Sequence, residues 1–489
     1  MDSERLVIGA DIGTTSAKAI VFDAAGAIHG RARHGYPLDS PEPGAAVQDA
    51  TVVAEAAVAA IGEVVAGATV AGVCLSAAMH SLVGLDSEGR PLTPLLTWGD
   101  TRAHAQAARL RAEVPQLHGE TGTPLHPMSP LAKLIWLRER DPGTFDSVAR
   151  WAGIEELVLH RLTGRWAIDR SCASGTGLLE VRTRDWHGRA LELAGIDAGK
   201  LSPLVDPGTV FESPSGGPPV VIGAGDGPLA NLGVGAVRPG VAACSIGTSG
   251  ALRVMVDRPV ADPRGRVFCY LLAGDLWVTG GAISNGGSVL RWVGDALAPD
   301  LGEGSERELL ALAAEIPAGS DGLVMLPYIM SERAPHWTTV PRGAYVGLTA
   351  EHRRGHLVRA ALEGVCHQLA LVLDSMRAAG NDIEAIRATG GFARSELWCQ
   401  MLADGLDMPI AFPDNHEGSA LGAALMGMEA LGIIDSVAVA ADLVPPGRIV
   451  TPDAAAAATY AAMRPLFADL SDSLEPAFRQ LGALGLDEA

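Results

Sequence analysis

The sequence lacks the patterns that build disulfide-stapled, zinc-finger and membrane proteins. Its six cysteines include no Cys-x-x-Cys pair, so neither a disulfide framework nor a zinc site is expected, and a reducing compartment fits. One uncharged stretch, residues 64–85, is long enough to raise the question of a membrane span, but glycines and polar residues dilute it. Because a spanning helix needs about 20 predominantly apolar residues, we expect a helix end, a buried strand and a loop there.

Positive charge is scarce as well. The 37 Lys and Arg residues against 57 Asp and Glu residues give a formal net charge of −20. Duplex nucleic acid and anionic membranes are recruited by clustered positive charge, so neither is expected as a partner. A small anionic substrate stays open, because the local field of a pocket need not follow the net charge. The first residues lack the basic and apolar regions of a signal peptide, so we expect a cytoplasmic protein.

What the sequence does have is length and apolar content. At about 100–200 residues per domain, 489 residues suggest two to four domains, and 48% apolar residues are enough for large cores. Helix and strand patterns alternate along the chain, with apolar periodicity predicting helices at 131–140 and 356–379. In the tail, Thr451-Pro452-Asp453 resembles a helix N-cap followed by proline at the first helical position.

One turn occurs twice. Residues 6–23 and 241–257 each read as an apolar strand, an Ile-Gly-Thr turn and a second apolar strand that ends in Asp. Two β-runs separated by a glycine-containing turn predict a hairpin. The tripeptide Ile-Gly-Thr can easily recur by chance. The flanking residues also match, however, down to Asp23 and Asp257, and this favours a duplicated α/β lobe.

The first of these turns carries candidate phosphate donors. Gly13 allows a tight turn whose backbone N–H groups point at one spot, as suits phosphate oxygens. Asp11, at the strand end, could hold Mg²⁺, which prefers oxygen ligands, and Lys18 adds positive charge. The hydroxyl donors of the turn are Thr14, Thr15 and Ser16. The spacing is not that of a Walker A loop, and one copy alone would favour a plain hairpin turn.

The second turn, Ser245-Ile-Gly-Thr-Ser-Gly250, makes phosphate binding the better interpretation than a plain hairpin turn. Two donor-rich turns could face one nucleoside triphosphate. A carboxylate between glycines, Asp226 in Gly223-Ala-Gly-Asp-Gly227, should sit in a loop beyond the carboxyl end of a strand, where open α/β sheets bind ligands. It could take a proton from an attacking hydroxyl, although an Asp-Gly turn is the commoner structure for such a pair.

Two further groups of residues could line binding sites. Gly391, in a strand–glycine–helix pattern, would let a flat ring lie on the backbone, and Ser395 could donate to it. Polar groups at strand ends beside an aromatic face suit a polyol pocket. The candidates for that pocket are His80, Trp98, Asp100, Arg102 and His126. Asp100 and Arg102 could instead simply pair with each other, and His126 could be a packing residue of its loop.

Taken together, the segments resemble the FGGY carbohydrate kinases, which share the actin-like, ribonuclease H-like ATPase fold. The matches lie in family order over roughly residues 6–435 and include Asp11-Ile-Gly-Thr-Thr-Ser-Ala-Lys18, Met128-Ser-Pro-Leu-Ala-Lys133, Gly225-Asp226-Gly227, Ser245-Ile-Gly-Thr248, Pro327-Tyr-Ile-Met-Ser-Glu332-Arg-Ala-Pro335 and Gly390-Gly391. The resemblance implies a two-lobed α/β fold with a central interlobe cleft. It implies an N-terminal lobe at 1–240, a C-terminal nucleotide-binding lobe at 241–440 and a helical tail at 441–489.

The resemblance also implies roles for single residues. Asp226 stands at the position of the family's catalytic base, and Asp11 at the position that holds Mg²⁺ through water. The implied ATP-binding residues are Thr14, Thr15, Ser16, Lys18, Gly247, Thr248, Gly287, Gly391 and Ser395. The implied sugar-pocket positions are Met79, His80 and Trp98, to which the strand-end argument adds Asp100, Arg102 and His126.

Within the family the chain is most similar to gluconokinases, through Ser76-Ala-Ala-Met-His-Ser81, Thr97-Trp-Gly-Asp-Thr-Arg102 and Thr121-Gly-Thr-Pro-Leu-His-Pro-Met128. This implies transfer of the γ-phosphoryl of MgATP to D-gluconate, giving 6-phosphogluconate. Xylulokinases share Met-His and Trp-x-Asp-x-Arg, so xylulose or another polyol is the nearest alternative, although Gly99 stands where many xylulokinases have Asn or Asp. A non-catalytic, chaperone-like ATP-binding relative and an inactive regulatory relative are further alternatives. The partners implied are ATP and a sugar or sugar acid, and a homodimer stays open.

Overall fold

The computed structural model describes residues 5–214, 216–260, 262–302, 304–414 and 417–484. These residues form two compact units. Unit 1 comprises the described residues of Met1–Arg238, Met255–Thr279 and Glu417–Pro445. Unit 2 comprises those of Pro239–Val254, Gly280–His416 and Pro446–Ala489. Unit 1 is thus built from three separate pieces of chain.

The strands are, in chain order, β1 (Leu6–Ile12), β2 (Ser16–Phe22), β3 (Ile28–Gly35), β4 (Val47–Gln48), β5 (Val70–Ala77), β6 (Val83–Leu85), β7 (Leu95–Leu96), β8 (Arg150–Ala152), β9 (Ile168–Asp169), β10 (Leu204–Val205), β11 (Val210–Phe211), β12 (Val220–Gly225), β13 (Val241–Ile246), β14 (Gly250–Val256), β15 (Phe268–Ala273), β16 (Leu276–Ile283), β17 (Val324–Leu326), β18 (Ala344–Val346), β19 (Ala385–Thr389), β20 (Ile410–Phe412) and β21 (Arg448–Val450).

The α-helices are α1 (Ala50–Gly67), α2 (His104–Glu113), α3 (Leu117–Thr121), α4 (Pro130–Arg140), α5 (Pro142–Ser147), α6 (Ile154–Thr163), α7 (Arg170–Ser174), α8 (Gly188–Ala194), α9 (Asp226–Gly233), α10 (Gly287–Leu297), α11 (Glu306–Ala314), α12 (Arg354–Ala378), α13 (Glu396–Leu406), α14 (Gly418–Ala430), α15 (Ala440–Leu443) and α16 (Ala454–Ala483). Short 3-10 helices lie at Ala198–Lys200, Pro299–Leu301, Ser320–Gly322, Gly391–Arg394 and Val437–Val439.

The main sheet of unit 1 has the strand order β11-β12-β5-β1-β2-β3. The strand pairs β1–β2 and β2–β3 are antiparallel, as the hairpin pattern predicts, while β1–β5 and β5–β12 are parallel. The central strands carry Val, Ile and Ala residues that are buried on both faces, which is typical of strands covered by helices on each side. Parallel strands end at the same edge, so β1, β5 and β12 bring their carboxyl ends together.

Unit 2 repeats this arrangement. The seven-stranded sheet that contains β13 and β14 has the strand order β15-β16-β14-β13-β19-β20-β21. The pair β13–β14 is an antiparallel hairpin, and β13–β19 and β19–β20 are parallel. The sequence β3-β2-β1-β5-β12 in unit 1 therefore matches β16-β14-β13-β19-β20 in unit 2, strand for strand. The duplication predicted from the two Ile-Gly-Thr turns is present in the topology.

Helix α1, with 18 residues, is long and apolar enough to cross a membrane by length and composition alone. Its Asp49 N-cap accepts hydrogen bonds from the backbone of Thr51 and Val52. Val53, Ala57 and Ile61 lie one turn apart and are buried in the core of unit 1, against β2, β3 and α6. The apolar face of α1 is thus used for packing inside the protein.

Helix α14 lies directly on β1 and α9. A Cβ atom at Gly9 would overlap the backbone carbonyl of Ala420, so the close approach of helix and strand requires glycine at that position. Residues that follow position 416 therefore complete the core of unit 1. The tertiary fold, rather than chain order, decides the composition of this unit.

The simpler predictions about local structure agree with the model. Residues 64–85 form the end of α1, the buried strand β5 and a loop leading into β6. The predicted helices correspond to α4 and α12. The N-cap predicted at Thr451 is wrong by two residues: Asp453 caps α16, accepting from the backbone of Ala455 and Ala456, and Pro452 precedes the helix.

Candidate active site

Two carboxylates meet at the carboxyl edge of the unit 1 sheet. Asp11 is the penultimate residue of β1 and lies in register with Ser76 of β5. The hydroxyl of Ser76 donates to Oδ1 of Asp11 at 3.1 Å. Asp226 follows the neighbouring strand β12. The parallel order of these strands places both side chains at one edge, as the sequence-based argument requires.

Asp226 is not in a loop, as its glycine-rich context suggested, but is the first residue of α9. Its Oδ1 accepts from the backbone N–H of Gly227 at 2.8 Å and of Met79 at 3.4 Å. A carboxylate in the first turn of a helix is stabilised by the positive end of the helix dipole. The helix thus fixes the direction of this side chain while leaving it half-exposed.

The electrostatic environment of Asp11 is negative. Burial, and after it the charge of Asp226, raise the pKa of Asp11 to about 6, against the opposing effects of Lys18 and the Ser76 hydroxyl. Two adjacent carboxylates at a sheet edge provide the oxygen donors and the field that a hard divalent cation prefers. The residues present therefore fit a Mg²⁺ ion held through Asp11.

The first Ile-Gly-Thr turn, predicted to bind phosphate, is held by side chains from elsewhere in unit 1. The Tyr36 hydroxyl donates to the Gly13 carbonyl at 2.6 Å, and Nε2 of Gln48 donates to the Thr14 carbonyl at 2.8 Å. Lys18 forms an ion pair with Glu417 at 2.9 Å. Sequence reasoning missed Tyr36, Gln48 and Glu417, since nothing in their local sequence marks a link to this turn.

The other predicted donors of this turn differ in their surroundings. The hydroxyl of Thr14 accepts from the indole N–H of Trp98 at 2.9 Å, which joins the phosphate turn to a predicted sugar-pocket residue. Ser16 is buried, and its hydroxyl accepts from Nε of Arg33 at 3.0 Å. Thr15 is exposed.

The predicted sugar-pocket residues Met79 and His80 follow β5 directly. A Cβ atom at Gly225 would overlap the Met79 side chain, so Met79 lies against the strand end that leads to Asp226. His80 has a positive φ of 68°, a conformation that costs a non-glycine residue roughly 1–3 kcal/mol and is concentrated at functional sites. Its Nδ1 is 2.7 Å from the carbonyl of Gly175, and its ring packs edge-on against Tyr270.

Lys133 links the two segments, at His80 and Thr97, that were predicted to contribute to the sugar pocket. Its side chain is fully buried, and Nζ donates to the carbonyls of His80 and Thr97, both at 2.7 Å. Removal from water lowers the pKa of Lys133 to about 7. A buried lysine whose donors reach two backbone carbonyls fixes both loops at once. The sequence supplied Lys133 only as part of a family motif.

Asp100 and Arg102 pair with each other, which was the structural alternative for these two residues. Asp100 is buried, and Arg102 donates to it from Nε and from a terminal nitrogen at 2.7 Å. The guanidinium also reaches Glu42 at 2.7 Å and lies over the ring of Trp136. His126 is buried in its loop, where Nδ1 accepts from the backbone N–H of Met128 at 3.2 Å.

Unit 2 contains a cavity of about 650 Å³, within the size range of ligand pockets. It brings together all the ATP-binding residues that were predicted in the second half of the chain, namely Gly247, Thr248, Gly287, Gly391 and Ser395. The backbone N–H of Gly287, at the start of α10, donates to the Gly247 carbonyl at 2.7 Å, which closes the turn against the helix. Ser395 caps α13 by accepting from the backbone N–H of Trp398.

The lining of this cavity is part apolar and part cationic. Apolar walls come from Leu290, Leu310, Phe392 and Trp398, and the charged residues are Arg291, Arg307, Arg394 and Glu306. An apolar slot with arginines suits a purine ring joined to phosphates. Sequence reasoning missed the arginines of the cavity, because two of them lie on helices (α10 and α11) whose place beside the turn only the fold reveals.

The sequence matches two family models in tandem. Residues 6–233 match the N-terminal domain of the FGGY family of carbohydrate kinases, and residues 242–431 match its C-terminal domain. The chain belongs to the FGGY family of carbohydrate kinases. Kinases of this family use ATP, which implies a divalent cation.

The relatives of this FGGY kinase include gluconokinases. It is 38% identical to the gluconokinase of Bacillus subtilis (strain 168) over 498 residues, which covers 97% of each chain. The gluconokinase of Bacillus licheniformis is 36% identical over 500 residues, again at 97% of each. The xylulose kinase of Bacillus subtilis (strain 168) is 28% identical over 450 residues, or 88% of this chain and 90% of that one.

Solved structures of FGGY kinases share the fold. The crystal structure of gluconate kinase from Lactobacillus acidophilus superimposes with a TM-score of 0.92 at 31% identity, covering 98% of this chain and 99% of that chain. The ligand-bound xylulose kinase from the same organism gives the same TM-score and identity, covering 98% and 100%. The predicted fold class, the actin-like (ribonuclease H-like) α/β fold, is confirmed.

Proposed function

We propose that this FGGY kinase transfers the γ-phosphoryl group of MgATP to the terminal hydroxyl of D-gluconate, giving 6-phospho-D-gluconate. The observation that carries the choice of substrate is the difference in identity: gluconokinases match at 36–38% over nearly the whole chain, and the xylulose kinase above at 28%. A xylulose-type substrate is the second candidate, because gluconate kinase and xylulose kinase structures match this fold equally well.

Asp226 serves as the general base in this proposal. Its two backbone hydrogen bonds and its place at the start of α9 direct the carboxylate. A carboxylate in this state can accept the proton of the attacking hydroxyl as the oxygen–phosphorus bond forms. The adjacent Met79 and the half-exposed surface of Asp226 leave room for a sugar hydroxyl beside it.

Asp11 would hold Mg²⁺, in agreement with the negative field around it. When bound, the cation neutralises charge on the transferring phosphoryl group. Ser76 keeps the Asp11 carboxylate oriented, and Lys18 supplies positive charge at the same turn. Thr14, Thr15 and Ser16 are the further donors that we assign to phosphate oxygens on this unit.

The cavity of unit 2 is our proposed nucleotide site. Gly391 leaves open space where a side chain would stand, since no atom lies within 4 Å of a Cβ placed there. A flat base can therefore lie against the backbone of Gly391, with Ser395 and Thr248 as hydroxyl donors. The arginines of the cavity can bind the phosphate groups. Gly247 and Gly287 let the backbone approach the ligand closely.

The substrate carboxylate has three candidate partners: His80, Arg102 and His126. The Arg102 guanidinium is engaged by Asp100 and Glu42, and His126 is buried with Nδ1 bonded inside its own loop. His80 is only half-buried and is held by Gly175 and Tyr270. We therefore assign His80 to substrate contact and treat Arg102 as a residue that positions Asp100 and the Trp98 loop.

A panel of acceptors tests the proposed substrate. ADP release is followed by a coupled assay with gluconate, xylulose, ribulose, glycerol and fuculose at fixed MgATP. We expect kcat/KM for gluconate to exceed that for every other acceptor by at least about tenfold, which corresponds to about 1.4 kcal/mol of transition-state binding. A higher value for xylulose would support the second candidate. ATP turnover that no acceptor stimulates would instead support a non-catalytic or chaperone-like role.

We also propose a cytoplasmic location. All six cysteines are free in the structure, as a reducing compartment favours. The small-molecule partners are ATP and the sugar acid, and a homodimer stays open.

A further inference from the structure

A second cluster of ligand-type side chains lies in unit 1, apart from Asp11 and Asp226. Glu155 is the second residue of α6, Asp169 ends β9 and caps α7, and Cys172 lies in the first turn of α7. One carboxylate oxygen of each acid and the thiol sulfur all lie within 4.8 Å of one another. The three donors lie within 17 positions of one another in the sequence, but their spacing matches no metal-binding motif. Folding brings them together.

Only one of the four carboxylate oxygens in this cluster has a backbone donor, namely Oδ1 of Asp169, which accepts from the N–H of Cys172 at 2.9 Å. Glu155 is 3% exposed and Asp169 is fully buried. Both oxygens of Glu155 and Oδ2 of Asp169 receive no hydrogen bond from any described donor, apart from a proton held within the cluster itself. Burying a carboxylate without a hydrogen bond or counter-charge is costly, so these oxygens favour either a proton or a bound cation.

The adjacent buried Glu156 has hydrogen-bond and charge partners that Glu155 lacks, although burial still raises its pKa to about 7. It accepts a hydrogen bond from the backbone of Gly153, and Arg150 acts on it electrostatically. Burial, and after it the charge of Asp169, raise the pKa of Glu155 well above the usual value, against the opposing effect of a hydrogen bond with Cys172. Within the described ranges, neither Glu155 nor Asp169 forms an ion pair with a lysine, arginine or histidine.

A small cavity beside the cluster provides room. Its volume is about 40 Å³, and Glu155 and Cys172 both line it. Since a water molecule requires roughly 10–15 Å³ measured in this way, a water ligand can stand beside the three protein donors. Cys172 is half-buried as a whole residue.

We propose that Glu155, Asp169 and Cys172 form a binding site for a divalent transition-metal ion of the zinc class, with water as a further ligand. Two carboxylates and a thiolate neutralise such an ion and are a donor set that Zn²⁺ accepts, whereas Mg²⁺ and Ca²⁺ disfavour sulfur. Cys-x-x-Cys spacing is not required, because the carboxylates supply the other donors. This proposal departs from the expectation of no zinc site, which rested on the spacing and the sequence context of the cysteines.

The metal would act on the sugar pocket through α6 and α7. The first residue of α6, Ile154, donates its backbone N–H to the hydroxyl of Ser81 at 3.0 Å. The C-cap of α7, Gly175, accepts from Nδ1 of His80, and Ser171 of α7 accepts from the backbone N–H of Gly225. An ion that joins the starts of both helices thus stabilises the segments on either side of Met79 and Asp226.

Metal binding itself tests the proposal without any assay of activity. The full-length protein is stripped with a chelator and titrated with Co²⁺ while the sulfur-to-cobalt charge-transfer absorption is recorded. We expect one thiolate-ligated Co²⁺ per chain, displaced by Zn²⁺. Cobalt at Asp11 would give no such band, because that site has no sulfur. Absence of the band from wild-type protein, with no Zn²⁺ retained in metal analysis, would overturn the proposal and leave a shared proton as the neutralising group.

Three variants assign the site. Cys172→Ser should abolish the charge-transfer band, and Glu155→Gln should weaken Co²⁺ binding by more than about tenfold, the loss seen even when an outer partner of a metal ligand is removed. Cys366→Ser, at another buried cysteine, is the matched control and should bind normally. A band that survives in both cluster variants would place the metal elsewhere and refute the assignment.

Thermal unfolding keeps the test decisive if Cys172→Ser folds poorly. Zn²⁺ should raise the Tm of the stripped wild type and leave that of Glu155→Gln unchanged. A Zn²⁺-induced rise of equal size in wild type and Glu155→Gln would contradict the proposed ligation.

Discussion

The carboxylates of Asp11 and Asp226 influence each other across the carboxyl edge of one sheet. After burial, the charge of Asp226 is the largest cause that raises the pKa of Asp11 to about 6. The two residues are more than 200 positions apart in the chain, yet the parallel pairs β1–β5 and β5–β12 bring them together. The two carboxylates give unit 1 a negatively charged site that a divalent cation can neutralise. The energy of their interaction can be measured.

Replacement of Asp11 by Asn should change how stability depends on pH. The folded pKa of about 6 exceeds the ordinary value of 3.8, so folding favours the protonated form. The free energy of unfolding of metal-free wild type should therefore fall as the pH rises from about 4 through about 6, by up to about 3 kcal/mol. In Asp11→Asn this fall should be smaller by that amount, since only other buried carboxyl groups such as Glu156 and Glu332 still contribute, and the variant should be the more stable protein at pH 7.5, as measured by urea unfolding in chelator. Parallel curves for the two proteins would contradict the shifted pKa.

Replacement of Asp226 by Asn should remove the general base. We expect kcat to fall by about 10²–10⁴-fold, the usual contribution of such a base, while ATP affinity stays within about twofold. Kinetics with the best acceptor and calorimetric titration with ATP measure the two effects. Asp206→Asn, at an exposed carboxylate, is the control and should keep wild-type turnover. An unchanged kcat in Asp226→Asn would remove the assignment.

Lys133→Met should loosen the sugar pocket. The variant leaves the carbonyls of His80 and Thr97 without their buried donor, which should lower the free energy of unfolding by about 2–5 kcal/mol. We expect KM for the sugar to rise while KM for ATP changes little, because Lys133 reaches no residue of the unit 2 cavity among the contacts described. Lys200→Met is the matched control. Equal rises of both KM values would indicate a general loss of structure.

Two neighbouring glycines should respond differently to substitution. A side chain at Gly391 meets no atom within 4 Å and would enter the unit 2 cavity, so Gly391→Leu should fold normally and weaken ATP binding by at least about tenfold. Gly390 has φ of 123°, and a Cβ there would overlap the Ile246 carbonyl. Gly390→Ala should therefore lower the Tm.

Gly188→Leu serves as the control for this pair, because Gly188 also faces open space but lies outside the cavity. It should change neither the Tm nor the affinity for ATP, when both are measured by calorimetry. Normal ATP binding by Gly391→Leu would remove the cavity as the nucleotide site.

Local sequence patterns were enough to predict part of the fold and some of the candidate site residues. The two hairpins follow from alternating apolar runs around a glycine turn, and this signal needs no distant contact. The carboxylate at the end of β12 and the glycine pair after β19 were also evident, since ligand sites of α/β sheets lie where strands end. The five cavity residues predicted in the second half were found together for the same reason.

Contacts between distant segments were decided only by the tertiary structure. Glu417 pairs with Lys18 and α14 covers β1, although 399 positions separate the two charged residues. Arg102 is already paired with Asp100 and Glu42. These contacts, and not the residue type alone, determine what else its guanidinium can bind. The site at Glu155, Asp169 and Cys172 has no spacing motif either. Sequence patterns report local backbone preference, whereas charge neutralisation and close packing depend on which surfaces the completed fold brings together.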